Sequence, residues 1–176
     1  MKKILSLGLF ALVITVATLA VAPFTLAQST ARTEAQCTIA KTRIEARTVK
    51  LETVRAAQAE RYASIQTKFD TIVSSAEQNS FGTTTMVVAQ EALMMKITAY
   101  TDAATAYSAA LTSAKNVTCN TTNTELTAAI ASARTALASL RDASTEVRTV
   151  VRGEVTDSLK EYATWLKDNA TTEEEK

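Results

Sequence analysis

Histidine is missing from this sequence altogether. Its absence removes the commonest general base and the commonest transition-metal ligand together. Ser–His and Cys–His nucleophile pairs are therefore excluded, as is the Glu-x-x-His motif of di-iron bundles. Glycine occurs three times and proline once in 176 residues. Turns and bulges draw on both, so a sheet protein of this length would be starved of them and a helical chain is expected. There is no Cys-x-x-Cys, no Gly-rich phosphate loop and no EF-hand pattern. Two lone cysteines are too few for a structural zinc site. No catalytic, cofactor-binding or metal-binding residue is assigned on these grounds, and the chain is expected not to be an enzyme. Asp142 with Glu146, and Asp157 with Glu161, are acidic pairs four apart on a helix, the pattern of solvated charge.

Strong charge of either sign is also missing, with 19 basic against 18 acidic residues, and two of the basic ones are Lys2 and Lys3 in the N-terminal leader. A chain so close to neutral argues against nucleic acid and against a polybasic grip on anionic lipid.

What the sequence does contain is small apolar residues, mostly Ala and Val, arranged with helical period. Lys2 and Lys3 followed by the apolar run Ile4 to Ala22 read as a signal peptide, with a small-residue cleavage site at Thr25-Leu26-Ala27. Residues 1–27 are thus expected to be removed, and an uncleaved membrane anchor is the minor alternative because the run almost spans a bilayer. No cysteine follows the apolar run, which speaks against a lipoprotein anchor. The expected location is exported: periplasmic, cell-surface or extracellular.

The mature chain, 28–170, reads as three helices over about 30–78, 84–115 and 123–168. In the first, Cys37, Ile44, Leu51, Gln58, Ile65 and Ile72 fall at seven-residue steps, joined by Val54, Tyr62, Phe69 and Val73. Gln58 interrupts this stripe, with Arg61 and Lys68 flanking it, as register-setting polar residues do in coiled coils. Asn79-Ser80-Phe81-Gly82-Thr83 forms the first corner.

The second helix carries Leu93, Ile97, Tyr100, Ala104, Tyr107, Leu111 and Ala114 in alternating steps of four and three. Lys96 and Asp102 are its only charges between Leu93 and Ala114. So bare an outer face predicts a helix covered on several sides in the middle of the bundle. Met94 and Met95, off the stripe, are expected to fill gaps between helices.

Asn116 to Asn123 forms the second corner, with Thr122 and Glu125 as a capping box. The third helix continues through Leu126, Ile130, Ala133, Leu137, Leu140, Ser144, Val147 and Val151, then less regularly through Val155, Leu159, Tyr162 and Leu166. Gly153 should weaken it locally by about 1 kcal/mol relative to Ala. Residues 171–176 are expected to fray as an acidic tail. Short loops make successive helices antiparallel, so the fold class is all-α: an elongated up-down-up three-helix bundle with coiled-coil-like packing.

Folding the first corner at Phe81 brings Cys37 and Cys119 to within roughly 9 Å in height at 1.5 Å per residue. In an exported chain the two read as one disulfide tying the start of helix 1 to the second corner. The alternatives are two free thiols or an intermolecular bridge.

Arg134, Arg141 and Arg148 recur at seven-residue steps, with Arg152 one turn further, near the expected heights of Glu52 and Glu60. They read either as interhelical or solvated charge or as a strip that binds an anion or a partner. The sequons at Asn116, Asn120 and Asn169 are of the kind a Thr-rich chain produces by chance.

A leader, Cys37-Thr-Ile-Ala-Lys-Thr-Arg-Ile44 opening helix 1 and a second cysteine before the last helix together resemble small exported two-cysteine helical proteins of bacteria. That resemblance covers most of the mature chain and implies a helical export product; no activity or functional residue comes with it. A coarser similarity is to periplasmic helical chaperones of the Skp type, whose helices are basic where these are neutral. The Leu-Thr-x-x-Gln motif of Spy-like chaperones is missing, since Leu126-Thr127 leads to Ile130. The expected function is a non-enzymatic envelope or cell-surface module that contacts a protein partner or itself. A periplasmic holdase, or a membrane-tethered sensor or stalk if the leader is retained, are the alternatives.

Overall fold

The computed structural model describes residues 34–119 and 124–172. The leader, the first turn expected for helix 1 (30–33), the Thr122 half of the capping box, the sequon at Asn120 and tail residues 173–176 lie outside the described residues. Four helical segments occur: α1 (Glu34–Gln78), α2 (Thr84–Asn116), α3 (Thr124–Val150) and α4 (Thr156–Thr172). A single π-helical turn, Val151–Val155, joins α3 to α4 with helical dihedrals at both ends. Together they make one third helix, so the molecule is an all-α three-helix bundle. The helix runs on to Thr172, beyond the expected end at 168 and into the expected tail.

Threonine, a modest helix former, is abundant here because its hydroxyl folds back onto the preceding turn. Thr42, Thr48, Thr53, Thr98, Thr101 and Thr145 each donate to the carbonyl four residues earlier. That satisfies the hydroxyl without any partner from another helix.

The corner between α1 and α2 is a Schellman motif. Phe81 N–H donates to the Ala76 carbonyl and Ser80 N–H to that of Glu77, both at 3.0 Å. The left-handed position is Ser80, with φ at 62°. The sequence pointed to Gly82 as the turn's glycine, but no glycine in the described residues has positive φ. Phe81 then packs against Tyr162 and Trp165 of α4, with ring centroids 5.2 and 5.6 Å away. Asn79 Nδ2 donates to Tyr162 Oη at 3.0 Å, and Ser75 Oγ lies 3.3 Å from the same oxygen.

From that corner α1 and α2 run antiparallel in one register. Lys115 bonds Glu45, Ser108 bonds Glu52, Arg55 bonds Thr105 and Gln90 bonds Asp70. Each pair is equidistant along the chain from Ser80, which is therefore the pivot. Cys37 and Cys119 pair at disulfide distance, Cα to Cα 5.8 Å, as the sequence led us to expect. The height mismatch closes because the chain leaves the helix at Val117 in an extended conformation (ψ 136°). An extended residue advances about 3.3 Å rather than about 1.5 Å.

The stripe on α2 is buried as its spacing requires, from Met86 through Leu93, Tyr100, Tyr107 and Leu111 to Ala114, except that Ile97 is only half-buried. On the third helix Leu126, Ile130, Leu137, Leu140, Val147, Val151 and Val155 continue the core. Alanines at Ala89, Ala104, Ala114 and Ala133 let the α2 and α3 backbones come close. The α1 backbone approaches α2 less closely than α3 does, and lies farther still from the third helix. Accordingly α1 is fully buried only near its ends, at Cys37 to Leu51 and at Phe69 to Ala76. Between them Val54, Gln58, Tyr62 and Ile65 are half-buried.

Candidate functional surfaces

Two surfaces stand out. The first is the outer face of α2, which the low charge of that helix led us to expect to be covered. It is open: Val88 is 57% exposed, Met94 52% and Met95 65%. The two methionines therefore fill no gap between helices. α2 is central only in packing against both other helices along one stripe, while Thr98, Ala99, Asp102, Ala106 and Ala109 on its far side face solvent. The signal for this was present in the sequence, since Val88, Met95, Asp102 and Ala109 lie seven apart, off the core stripe.

The second surface is the arginine strip. Arg134, Arg141 and Arg152 are exposed and Arg148 is half-buried. Arg134 and Arg148 lie beside α1, near Arg47 and Tyr62 respectively. Arg134 and Arg47 of α1 line one small cleft with Ile44, Tyr107, Leu111 and Ile130. Its volume of about 20 Å³ holds at most one water. Glu52, expected opposite the strip, instead pairs with Arg55 at 3.4 Å and accepts from Ser108 on the α2 side. Glu146 is likewise turned to α2, where Lys96 Nζ lies 2.7 Å away.

Midway along the same seam Tyr62 meets Tyr100 edge to face, centroids 5.2 Å apart. Burial and the neighbouring Tyr100 push the Tyr62 phenol up to about 12, and a hydrogen bond with Ser144 and the charges of Arg148 and Arg61 hold it back only in part. Burial also raises the Tyr100 phenol, against the pull of Arg55. Both rings stay neutral at physiological pH and act as polar-tipped packing groups rather than bases. Arg148 Nε, buried beside this cluster, has no hydrogen-bond partner. Gln58, which interrupts the stripe in the sequence, is half-buried one turn before Tyr62 on α1, and the grouping of the two tyrosines with Arg148 leaves no signal in the sequence pattern.

No group of three or more Cys, Asp or Glu side chains suited to a metal ion occurs among the described residues. Nor is any helix among them long and apolar enough to cross a membrane. No family model, no curated protein and no solved structure matches the chain.

Proposed function

We propose that the chain is an exported, non-enzymatic helical module that makes protein–protein contacts, with a partner or with a second copy. The observation that carries this is the open face of α2. Three large apolar side chains, Val88, Met94 and Met95, lie more than half exposed within about two turns of each other. That helix carries four charges in all, Glu91, Lys96, Asp102 and Lys115, with Lys96 paired to Glu146. Apolar surface left so bare on a helix is the usual mark of a contact site. The Cys37–Cys119 pairing is compatible with an oxidising compartment and supports export. The expected leader at 1–27 supports it too.

Exposed methionine also favours a second reading, since its flexible thioether adapts to varied partners. That reading is a periplasmic holdase. In-cell cross-linking of the tagged protein followed by mass spectrometry separates the two. One dominant partner, or the protein itself, is expected, and Met95→Glu should abolish the cross-link. A broad spread of unrelated exported proteins would favour the holdase. Capture unaffected by Met95→Glu would remove α2 from the argument.

A further inference from the structure

Among the described residues five large apolar side chains are more than half exposed, and four of them share one side of the bundle. Val88 and Met95 lie on the outer face of α2. Met94, one turn after the Gln90 that donates to Asp70, lies on the flank of that face nearest α1. Val49 belongs to α1, four residues after Glu45 and three before Glu52. Through those two residues the same flank of α1 reaches Lys115 and Ser108 of α2. The outer face of α2 is also ordered along its length. Its large side chains stand in the first half, whereas the second half carries Ala106, Ala109 and Ser113, all exposed. Val88, Met95, Asp102 and Ala109 lie seven apart, and a second heptad series of small residues, Ala92 to Ser113, begins four residues on. Such alternating steps of four and three make a helix–helix seam. This one lies on the side of α2 away from the core.

We propose that a second copy of this chain covers this face, the two α2 helices running antiparallel about a two-fold axis midway between Met95 and Ala106. An occupant that fits must be small where this face is large and large where it is small, and the reversed face itself meets that need. Antiparallel pairing at full overlap sets Met95 on Ala106 of the second copy, Val88 on Ser113 and Asp102 on Ala99. Parallel pairing instead stacks Met95 on Met95 and Asp102 on Asp102, bulk on bulk and charge on charge. The two-fold keeps both α1 helices on one side of the pair, so Met94 of one copy comes within about a turn of Val49 of the other. One arrangement thus covers four of the five exposed side chains. The area suffices for a reversible dimer. α2 has 33 residues, so its face of roughly 50 Å by 10 Å buries about 1,000 Å² over two copies, the lower limit for a specific interface. Pairing of one patch with itself is also the commonest form of assembly. Against it stands one charge: the two-fold sets the Asp102 side chains about 4.5 Å apart along the axis. The inference rests on the protein-contact reading and specifies its occupant.

The test is sedimentation equilibrium of the oxidised protein at rising concentration, from the micromolar range upward. The mass is expected to rise from one chain to two and no further. Met95→Glu, exposed and checked for fold by circular dichroism, should weaken dimerisation at least about tenfold, since each dimer carries the change twice. Asp102→Ala should tighten it by about threefold or more, because it removes the repulsion at the axis. Val88→Cys combined with Ser113→Cys should close a covalent dimer under a mild oxidant, whereas Val88→Cys alone should not. A monomer at every concentration, growth beyond two chains, or an unchanged dimer in folded Met95→Glu would each overturn the proposal. So would failure of Asp102→Ala to tighten the dimer, no closure by the cysteine pair, or closure by Val88→Cys alone. A monomer whose in-cell cross-link to a different polypeptide is lost in Met95→Glu would overturn the second copy and leave the protein-contact reading standing. A monomer with no such cross-link would overturn both.

Discussion

Ser80 holds the left-handed position that ends α1, with φ at 62°. A side chain with a β-carbon crowds the following carbonyl there, at a cost of roughly 1–2 kcal/mol that glycine escapes. The motif persists because its neighbours over-determine it. Phe81 is drawn into the Tyr162–Trp165 pair, and Asn79 is tied to the Tyr162 hydroxyl. Ser80→Gly should therefore stabilise the protein, by about 1 kcal/mol, less whatever glycine adds to unfolded-chain entropy. The readout is the denaturant midpoint at constant slope. A lower midpoint would mean that the serine side chain makes a contribution the corner geometry does not reveal. The Asn-Ser-Phe-Gly-Thr run revealed that a turn occurs here, but not which residue takes the strained position. Composition favoured Gly82, whereas the corner is organised around Phe81 docking on α4, a contact more than 80 residues away in sequence. Long-range aromatic contacts of that kind leave no local periodic trace.

At the scale of the helices, periodicity revealed most of the fold. The stripes on α2 and α3 predicted their buried faces nearly residue for residue, because a heptad pattern and a helix–helix seam are one constraint seen twice. Where the pattern slipped, after Val151, the helix changes form. Val147, Val151, Val155, Leu159, Tyr162 and Leu166 advance by four, four, four, three and four, one residue more than the heptad allows between Val151 and Val155. The π-helical turn spans that stretch and absorbs the surplus residue, with Thr156 Oγ1 bonding the Val151 carbonyl at 2.7 Å. Gly153 within the turn has no steric reason to be glycine, since a β-carbon there would meet nothing within 4 Å. Removing Gly153 should convert the turn to α-helix and leave the core in register on both sides. The expected result is full helicity by circular dichroism and a melting temperature at or above that of the parent. A lower melting temperature would mean that α4 depends on the π turn for its rotation onto Phe81. What periodicity did not reveal is coverage. A bare helix face looks the same in sequence whether a neighbour covers it or solvent does, which is why the pattern points Met94 and Met95 to gaps between helices while the structure leaves them exposed.

For the molecule as a whole, the uneven hold on α1 is the governing feature. Its last turns are secured by the corner, through Ala76, Phe81 and the Tyr162 hydroxyl, and its first by the bond from Cys37 to Cys119. The middle is half-buried over a polar patch and adds less. Hydrophobic burial scales with apolar area removed from water, so the two ends carry most of what packing offers α1. The disulfide closes a loop 82 residues in sequence separation. In the chain-entropy model such a loop is worth about 4.5 kcal/mol, an upper figure because the unfolded chain retains structure. Cys37→Ser should therefore lower the melting temperature of the oxidised protein by many degrees, and adding reductant to the parent should reproduce most of that loss. Since Cys37 is fully buried against the core, hydrogen exchange in the variant should quicken first over residues 37–51 and last around Phe81. The same melting temperature for parent and variant in oxidising buffer would show that the core alone holds α1. Uniformly faster exchange along all three helices would instead mean that the bundle opens as one cooperative unit, with the disulfide acting on the unfolded chain and not on the docking of α1.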